Sequence, residues 1–282
     1  MALLITKADG TRESFDDHKL LGSLARAGAD RTTAQEIASE VETELFDGIT
    51  TQEIYRRAFA RLRAHRHGIA ARYSLKRAVW DFGPSGFPFE TYIAALFRAE
   101  GWEASTDKVI RGACVEHEVD VVAKKGNELL YVEAKFHNSP GFKTDLKTAL
   151  YVKARMDDIR AAHAAKKNAG KEKILGLLVT NTKFTTHATH YASCAGLELL
   201  SWDEPHGHTL HDRIAEVGLY PITALTTLSR REKLYLLEKR IVLCQEILDN
   251  TRALGEAGVP PHKVTAVLEE AGALCGGRST VQ

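Results

Sequence analysis

Apolar and polar residues alternate along two short runs near the middle of the chain. Residues 117–125 and 128–135 are rich in Val, Leu or Tyr, and Gly126-Asn127 separates them. A Gly-Asn pair between two such runs predicts two antiparallel strands joined by a two-residue turn. With that turn Lys125 faces Glu128, and the register of every further pair along the hairpin follows.

Helical and extended patterns surround this hairpin. Residues 86–102 and 143–163 have apolar residues at helical spacing, and 174–179 form a continuous apolar run that is typical of a buried central strand. Residues 197–202 predict one more strand. The apolar positions expected to face the core are Phe89, Ile93, Leu96 and Phe97 in the first helix and Leu146, Leu150, Ala154 and Ile159 in the second. This order of elements predicts a mixed sheet flanked by helices.

The two ends of the chain differ from this middle part. Residues 3–15 predict a small hairpin around an Asp-Gly turn, and helices follow that begin near Asp17, Thr33 and Thr50. From about residue 210 the pattern is helical. The predicted fold class is therefore α/β (α+β). Its parts are an N-terminal β-hairpin with helices, a central mixed-sheet core and a C-terminal helical module, with expected boundaries at 1–82, 83–208 and 209–282.

Composition restricts the class of protein. The 282 residues carry a net charge of +1, so affinity for a polyanion has to come from a local patch or from assembly. Four Cys without close spacing argue against a disulfide framework and against a zinc site. His206, His208 and His211 are a further metal candidate, although no Cys accompanies them. No signal-peptide pattern is recognisable and no apolar run approaches the roughly 20 residues of a membrane span, which predicts a cytoplasmic protein with no membrane partner.

Four charged side chains are predicted on one face of the central hairpin. Asp120 lies opposite Glu133 and Glu118 opposite Lys135, and directly opposed residues have Cβ atoms about 5 Å apart. Two carboxylates at that distance repel unless a cation lies between them, and Mg²⁺ or Mn²⁺ prefers oxygen ligands. Lys135 could orient a water and help to deprotonate it, which suits phosphodiester hydrolysis. The alternative is an exposed face with a Glu118–Lys135 ion pair and no chemistry. Alternation places Val119, Val121, Val132 and Ala134 on the other face, where they can be buried.

This stretch resembles the PD-(D/E)XK nuclease superfamily and, within it, the Mrr-like restriction endonucleases. The family pattern is an acidic residue on one strand and Glu/Gln-x-Lys on the next, here Asp120 and Glu133-Ala134-Lys135, while the literal Pro of the family name is absent. The resemblance implies that Asp120, Glu133 and Lys135 are catalytic. It also implies that the backbone carbonyl of Ala134 is a metal ligand and that Glu90, on the preceding helix, reaches the site. Stabilisation of a helix N-terminus is the alternative role of Glu90.

A basic and aromatic face is predicted on the helix that follows the hairpin. Lys143, Lys147, Tyr151 and Arg155 recur at a four-residue step. Cations interleaved with a Tyr suit a phosphate backbone, so these residues are expected to bind DNA. A solvated charged face without a ligand is the alternative.

Residues 1–80 carry a second set of motifs. Ile5-x-Lys-x-Asp-Gly, Glu13-x-Phe-Asp-x-x-Lys, Thr51-x-x-Ile and a late Arg-Tyr occur in this order. The set resembles the ATP-cone, the regulatory nucleotide-binding domain of ribonucleotide reductases and their repressors. The resemblance implies that ATP or dATP binds here, and Ala8 replaces a basic residue that the family often has. The implied nucleotide-binding residues are Lys7, Glu13, Asp16, Lys19, Thr51 and Tyr55. A small helical domain that has lost its ligand is the alternative.

The C-terminal helices resemble a helix-hairpin-helix-like module in which the hairpin glycine is replaced around Lys239-Arg240. The whole sequence therefore predicts a Mg²⁺- or Mn²⁺-dependent endodeoxyribonuclease of the Mrr restriction type. Its expected partners are DNA, an adenine nucleotide as regulatory ligand, and further copies of itself in a dimer or tetramer. The competing prediction is a non-catalytic, nucleotide-sensing DNA-binding regulator.

Overall fold

The computed structural model describes residues 3–65, 67–139, 141–165 and 172–275. The chain divides into two compact units, of which the first combines residues 1–79 with 220–282 and the second spans 80–219. The segment predicted as a third part from residue 209 is thus divided between the two units. No helix in the described ranges is long and apolar enough to cross a membrane.

The predicted elements occur in the predicted order, but strands at 103–111, 143–144 and 183–184 were not predicted. The strands are β1 (Leu4–Thr6), β2 (Arg12–Ser14), β3 (Glu103–Arg111), β4 (Glu116–Lys125), β5 (Glu128–Lys135), β6 (Lys143–Thr144), β7 (Lys173–Thr180), β8 (Lys183–Phe184) and β9 (Glu198–Leu200). The helices are α1 (Asp17–Arg26), α2 (Arg31–Glu42), α3 (Thr51–His65), α4 (His67–Tyr73), α5 (Leu75–Trp80), α6 (Phe87–Ala99), α7 (Leu146–Ala164), α8 (Thr186–Ala195), α9 (Leu210–Val217), α10 (Arg230–Glu238), α11 (Cys244–Asp249), α12 (Arg252–Glu256) and α13 (Pro261–Cys275). A short 3-10 helix covers Ile222–Ala224.

The first unit begins with the predicted β1–β2 hairpin, which is confirmed as an antiparallel pair. Helices α1 to α4 bury Leu24, Val41 and Leu62 in one hydrophobic core with the hairpin. Helix α2 begins two residues before the predicted Thr33, because the Asp30 carboxylate accepts a hydrogen bond of 2.9 Å from the Thr33 N–H and caps the helix.

The C-terminal helices of the first unit are held by main-chain turns. Arg240, near the position where the sequence lacks a hairpin glycine, has a left-handed φ of 62°. The N–H groups of Arg240 and Ile241 donate to the carbonyls of Leu237 and Leu236, both at 2.9 Å, which closes α10. The residue type that usually occupies this position is glycine, yet Arg240 adopts the same conformation because the two hydrogen bonds require it.

The second unit contains the predicted mixed sheet. Its strand order is β3-β4-β5-β7-β9, with β3, β4 and β5 antiparallel and β5, β7 and β9 parallel. The apolar run 174–179 lies in β7 between β5 and β9, the central position that was predicted. Helix α6 packs on β3 and β4, and α7 packs on β7 and α8.

Helix α6 agrees with its prediction at both ends. Pro88 lies in the first turn, and Gly101 follows the helix with a φ of 85°. The Gly101 N–H donates to the Arg98 carbonyl and the Trp102 N–H to the Phe97 carbonyl, both at a distance of 3.0 Å. The Trp102 ring also contacts the Phe97 ring edge to face. The predicted apolar stripe, from Phe89 to Phe97, is buried.

Helix α7 differs from its prediction in start and in phase. Lys143 lies in β6, which pairs with β8, and Asp145 caps a helix that begins at Leu146. The predicted apolar side was wrong at Leu150, which is 44% exposed, and at Ala154, which is also exposed, while Leu146 is half-buried and Ile159 is buried. The residues that face the core are Ala149, Val152, Met156 and Ile159. Met156 fits there because Gly176 on β7 has no side chain, and a Cβ at that position would lie 2.7 Å from Met156 Cγ.

Candidate active site

The register of the β4–β5 hairpin is the predicted one. Lys125 pairs with Glu128 and each further pair follows as far as Val121 with Val132. Gly126 takes the left-handed φ of 59° that the tight turn requires. The paired ladder ends there, so Asp120 and Glu133 lie one step beyond the last backbone pair.

Asp120 closes the gap at the end of the ladder with its side chain. Its Oδ2 accepts a hydrogen bond of 2.7 Å from the Ala134 N–H. This contact fixes the Asp120 carboxylate at the main chain of β5, next to Glu133. Farther along, within the part of the chain that the structure describes, Glu118 and Lys135 form no ion pair, so the contact expected from a non-catalytic hairpin face is not made.

The alternation of side chains breaks at Asp120. On β3, Asp107 has a left-handed φ of 55°, and the pair between Asp107 and Asp120 is missing from an otherwise continuous β3–β4 ladder. As a result Val119 packs in the same cluster as Tyr131, which alternates with Val132 on β5. The prediction that Val119 and Val132 share a face is therefore wrong, although Val119, Val121, Val132 and Ala134 are all buried as expected.

Five carboxylates come within electrostatic range of one another at this break. Burial raises the pKa of Glu90 to about 7, and the like charges of four neighbours add to the shift. These neighbours are, in falling order of effect, Asp120, Asp107, Glu133 and Glu118. Glu90 is also in the first turn of α6. It therefore lies both near the carboxylates and at a helix N-terminus, the two places that the sequence left open for it.

The two central carboxylates are also perturbed by their surroundings. Burial is the main cause that raises the pKa of Asp120, and the Ala134 N–H opposes it. Burial, followed by the charge of Asp120, raises the pKa of Glu133, and Arg155 opposes that shift. Perturbed carboxylates that converge on one place are a marker of a functional site.

Arg155 compensates part of this negative charge. Its Nη1 forms an ion pair with Glu133 Oε2, and the two side chains are only 11% and 18% exposed. Its Nη2 donates over 2.7 Å to the Tyr151 hydroxyl, and its guanidinium lies 4.8 Å from the centre of the Tyr151 ring. The buried Nε of Arg155 has no hydrogen-bond partner. Arg155 thus points at the carboxylates, whereas the sequence predicted it on a face for DNA.

The remaining predicted DNA-binding residues are at the surface of the second unit. Lys147 and Tyr151 are exposed on α7, with Tyr151 58% exposed, and Lys143 is exposed on β6. Lys143 does not share a helical face with the other residues because the helix begins after it. Lys135 is exposed at the end of β5 and lowers the pKa of the neighbouring Glu133.

The donor chemistry at this place fits a hard divalent cation. Asp120, Glu133 and the Ala134 carbonyl offer oxygen atoms, and the mutual repulsion of the carboxylates would be reduced by positive charge. Within the described ranges, however, no group of three or more His, Cys, Asp and Glu side chains is already arranged around a common metal position. One of the carboxylates, Glu133, is instead paired with Arg155. The histidines near residue 208 likewise form no such group there, and His211 contacts Asp212 and the Trp202 ring.

The predicted nucleotide-binding residues lie in the first unit. Glu13 forms ion pairs with Lys7 at 2.6 Å and Lys19 at 3.3 Å, and the hydrogen bond from Lys7 is the main cause that lowers the Glu13 pKa. Asp16 caps α1 through the His18 N–H. Thr51 is the first residue of α3, whose cap is the Thr50 hydroxyl.

An aromatic stack accompanies these residues. The Tyr55 ring stacks on Tyr73 at 5.2 Å and on Phe59 at 6.0 Å. Of the predicted nucleotide-binding residues, the structure thus brings Lys7, Glu13 and Lys19 into contact through their ion pairs. Asp16 instead caps a helix, a contact that the sequence pattern did not reveal.

Sequence reasoning missed two residues of the candidate site. Asp107 reaches the carboxylates because of its left-handed backbone, which Asp tolerates better than most residues. Because no strand was predicted over residues 103–111, no sequence signal pointed to this break. His137, two residues after Lys135, is half-buried, and burial is the main cause that lowers its pKa. Its signal was its short distance in sequence from the Glu-x-Lys triplet.

Comparison with known proteins assigns each part of the chain. Residues 3–81 match the ATP cone domain, residues 84–204 match a restriction endonuclease domain, and residues 220–275 match the AF1548-like C-terminal domain. An uncharacterized protein of Archaeoglobus fulgidus is 33% identical over 185 residues, which are 65% of this chain and all of the relative.

Two solved structures are also similar. The crystal structure of AF1548, a protein of unknown function, has a TM-score of 0.54 and 32% identity over 68% of this chain and 100% of its own. The MspJI restriction endonuclease in complex with a 27-mer oligonucleotide has a TM-score of 0.34 and 14% identity over 73% of this chain and 37% of its own. The family models, the Archaeoglobus relative and the AF1548 structure together show that the chain belongs to the AF1548-like proteins. It joins an ATP cone domain to a restriction endonuclease domain.

Proposed function

We propose that the chain is a Mg²⁺- or Mn²⁺-dependent endodeoxyribonuclease that hydrolyses phosphodiester bonds and is regulated by ATP or dATP at its ATP cone. The observation that carries the proposal is the group of half-buried carboxylates around Asp120 and Glu133, with the exposed Lys135 beside it. It lies within the segment that matches a restriction endonuclease domain. A hairpin that only stabilised the fold would gain nothing from carboxylates that raise one another's pKa.

In this proposal Asp120, Glu133 and the Ala134 carbonyl hold the metal. When bound, the ion supplies positive charge to a phosphoryl oxygen as negative charge builds up in the transition state. Lys135 orients the attacking water and helps to remove its proton. Glu90, whose pKa is about 7, exchanges a proton near neutral pH.

The phosphate backbone is held, in our proposal, by the exposed residues near the start of α7. Lys143 and Lys147 supply positive charge, and Tyr151 supplies a hydroxyl and an aromatic face. Arg155 can contact DNA only after it leaves Glu133. One such centre cuts one strand, so cleavage of both strands requires a dimer, a tetramer or two successive nicks.

Regulation is assigned to the first unit. Lys7 and Lys19 would exchange their contacts with Glu13 for the phosphates of an adenine nucleotide, and Thr51 at the start of α3 offers a helix N-terminus to them. A nucleotide can shift the balance between two assembly states, or between an active and an inactive state, only by the difference in its affinity for them. No Walker-type loop occurs in the sequence, so we propose that the nucleotide is bound as a regulatory ligand and is not hydrolysed.

A non-catalytic, nucleotide-sensing DNA-binding regulator is the second candidate. The specific observation in its favour is that Arg155 already neutralises Glu133, which is the contact expected of a silent site. The two candidates differ in what Asp120 does, because a regulator would bind DNA equally well without it.

Incubation of supercoiled plasmid with Mg²⁺ or Mn²⁺, with and without ATP or dATP, tests the proposal. We expect nicked and linear products that disappear on addition of EDTA. The matched control is Asp120→Asn, which keeps the shape of the side chain and removes its charge. Intact plasmid under every condition would leave the regulator as the better assignment, and equal cleavage by Asp120→Asn would show that Asp120 does not hold the metal of the cleavage reaction.

A further inference from the structure

Phe142 is a large apolar side chain at the surface, between the hairpin and α7. It is 62% exposed, the most exposed large aromatic side chain in the described part of the second unit. Contact of so much apolar surface with water is unfavourable, although single exposed apolar side chains are common on protein surfaces. The exposure of Phe142 indicates a binding role only together with the groups around the ring. Those surroundings are a rigid aromatic support and exposed cations.

The support is the imidazole of His137. The two rings are stacked, with centroids 5.8 Å apart and planes inclined by 17°. Since one face of Phe142 lies on His137 while most of the ring is in solvent, its other face is available to a flat ligand. A pair of stacked rings of this kind extends readily by one more ring.

His137 cannot move easily, because both its main chain and its side chain are bonded to buried groups. Its N–H donates to Asn181 Oδ1 over 2.8 Å, and Asn181 Nδ2 donates to the His137 carbonyl over 2.7 Å. Its Nε2 hydrogen-bonds the Thr144 hydroxyl at 3.1 Å, and that hydroxyl contacts Thr180 at 3.1 Å. Asn181 and Thr180 are fully buried. The Phe142 ring therefore rests on a support fixed to the core of the unit.

Exposed lysines flank this ring, and the carboxylate of Asp145 also acts on His137. Lys143 follows Phe142 directly and is exposed, and the exposed Lys135 comes two residues before His137. Burial is the main cause that lowers the pKa of His137, and the charge of the nearby Lys135 adds to the shift. An aromatic face surrounded by lysines is complementary to a nucleobase on a polyanionic chain, and less so to the apolar surface of a protein.

We propose that Phe142 is a stacking platform for an unpaired base of the DNA, next to the site of cleavage. A base inside a duplex presents no free face, so the platform selects DNA with an unpaired or extruded nucleotide, such as a gap, a bubble or a single-stranded end. The inference rests on the proposed function for its DNA substrate. It adds the structural class of that substrate, which the carboxylate site alone does not define.

The test measures binding of the full chain to labelled single-stranded, bubble and fully paired DNA of one sequence. Phe142→Ala is expected to weaken binding to the first two about tenfold, equivalent to about 1.4 kcal/mol, and to change binding to paired DNA little. Phe142→Trp should bind as the wild type does, with tryptophan emission quenched by DNA. Phe142→Leu, which keeps the apolar surface but has no aromatic face, should behave as Phe142→Ala does. The matched control is Phe46→Ala in the first unit, a ring that is 56% exposed.

Salt dependence separates stacking from phosphate contact. Phe142→Ala should leave the slope of log affinity against log salt unchanged, whereas Lys143→Ala should reduce it by about 0.7 on single strands. An equal loss on paired and unpaired DNA, or wild-type binding by Phe142→Leu, would overturn the proposal. So would a Phe142-dependent change in oligomer mass with unchanged DNA affinity, or Phe142-dependent binding to RNA and not to DNA.

The same experiment separates failure of this inference from failure of the proposed function. If the wild type cuts paired plasmid and Phe142→Ala binds all DNA as tightly, the platform is wrong and the nuclease stands. If Phe142 controls binding to unpaired DNA and no cleavage occurs with Mg²⁺ or Mn²⁺, the platform stands and the nuclease is wrong.

Discussion

Replacement of Arg155 by Met should destabilise the second unit in the absence of divalent cations. Arg155 and Glu133 are 11% and 18% exposed, and removal of one partner from such a pair typically costs about 3 kcal/mol. Unfolding entropy scales with chain length, and the unit spans residues 80–219. The midpoint of its thermal transition should therefore fall by about 10 °C.

The size of this loss should depend on pH. Without Arg155 the pKa of Glu133, already raised by burial and by Asp120, rises further. A carboxylate whose pKa is higher in the folded than in the unfolded state destabilises the fold above its unfolded value, and this penalty disappears as protonation occurs. The deficit of Arg155→Met is therefore greatest at neutral and alkaline pH and shrinks as the pH falls through the Glu133 pKa.

Divalent cations should restore most of the lost stability. If Mg²⁺ or Mn²⁺ binds between Asp120 and Glu133, it replaces the positive charge of Arg155, and an ion at 100 times its Kd contributes about 2.7 kcal/mol. The wild type should gain less, because the ion has to displace Arg155 from Glu133 first. Calorimetric scans of both proteins with EDTA and with saturating metal measure the two gains.

Arg213→Met is the matched control for this experiment. Arg213 forms an ion pair with Glu100 in the same unit, and both side chains are 20% exposed. It should lose stability to a similar degree and recover none of it with metal, because the pair lies outside the carboxylate cluster. Equal gains for wild type, Arg155→Met and Arg213→Met would refute the view that Arg155 occupies the position of a cation.

Three further predictions concern the two units. Asp120→Asn and Glu133→Gln should each abolish plasmid cleavage with the thermal transition retained, and Lys135→Ala should remove most cleavage while calorimetry still detects Mn²⁺ binding; wild-type rates in any of these would contradict the site. Asp158, whose pKa is lowered mainly by its hydrogen bond to a histidine on β4, stabilises the fold above the unfolded value of about 3.9, so the stability gap to Asp158→Asn should close as the pH falls below that value. ATP or dATP should bind the full chain in a calorimetric titration and change its mass in light scattering, and Lys7→Ala should weaken that binding; no heat at saturating nucleotide would reject the regulatory role.

The hairpin could be predicted from sequence because its determinants are local. A two-residue turn at Gly126-Asn127 fixes the register of the pairs that follow, and the structure keeps that register as far as Val121 with Val132. The α6 helix was equally predictable, since Pro88 and Gly101 mark its ends and its apolar residues form one stripe. In both cases residues close in sequence decide the conformation.

The phase of α7 could not be predicted from sequence alone. Two sets of apolar residues occur along this helix, one including Leu150 and the other including Met156, and both have helical spacing. The choice between them depends on a partner in another strand, because Gly176 leaves room for Met156 on β7. The helix phase in turn decides where Arg155 points, so its contact with Glu133 was also beyond the reach of a periodicity argument.

The carboxylate cluster accounts for the remaining error, the face assigned to Val119. A period-two pattern assumes an unbroken ladder, and the ladder breaks where Asp107 and Asp120 fail to pair. At this break Glu90, Asp120 and Glu133 share a half-buried environment in which burial raises the pKa of each. Such an arrangement opposes folding unless positive charge compensates it, and among the described residues the guanidinium of Arg155 forms an ion pair with Glu133 alone. The excess negative charge that remains is the physical reason why a divalent cation should bind here, and why its binding should be strongest once Arg155 no longer competes for Glu133.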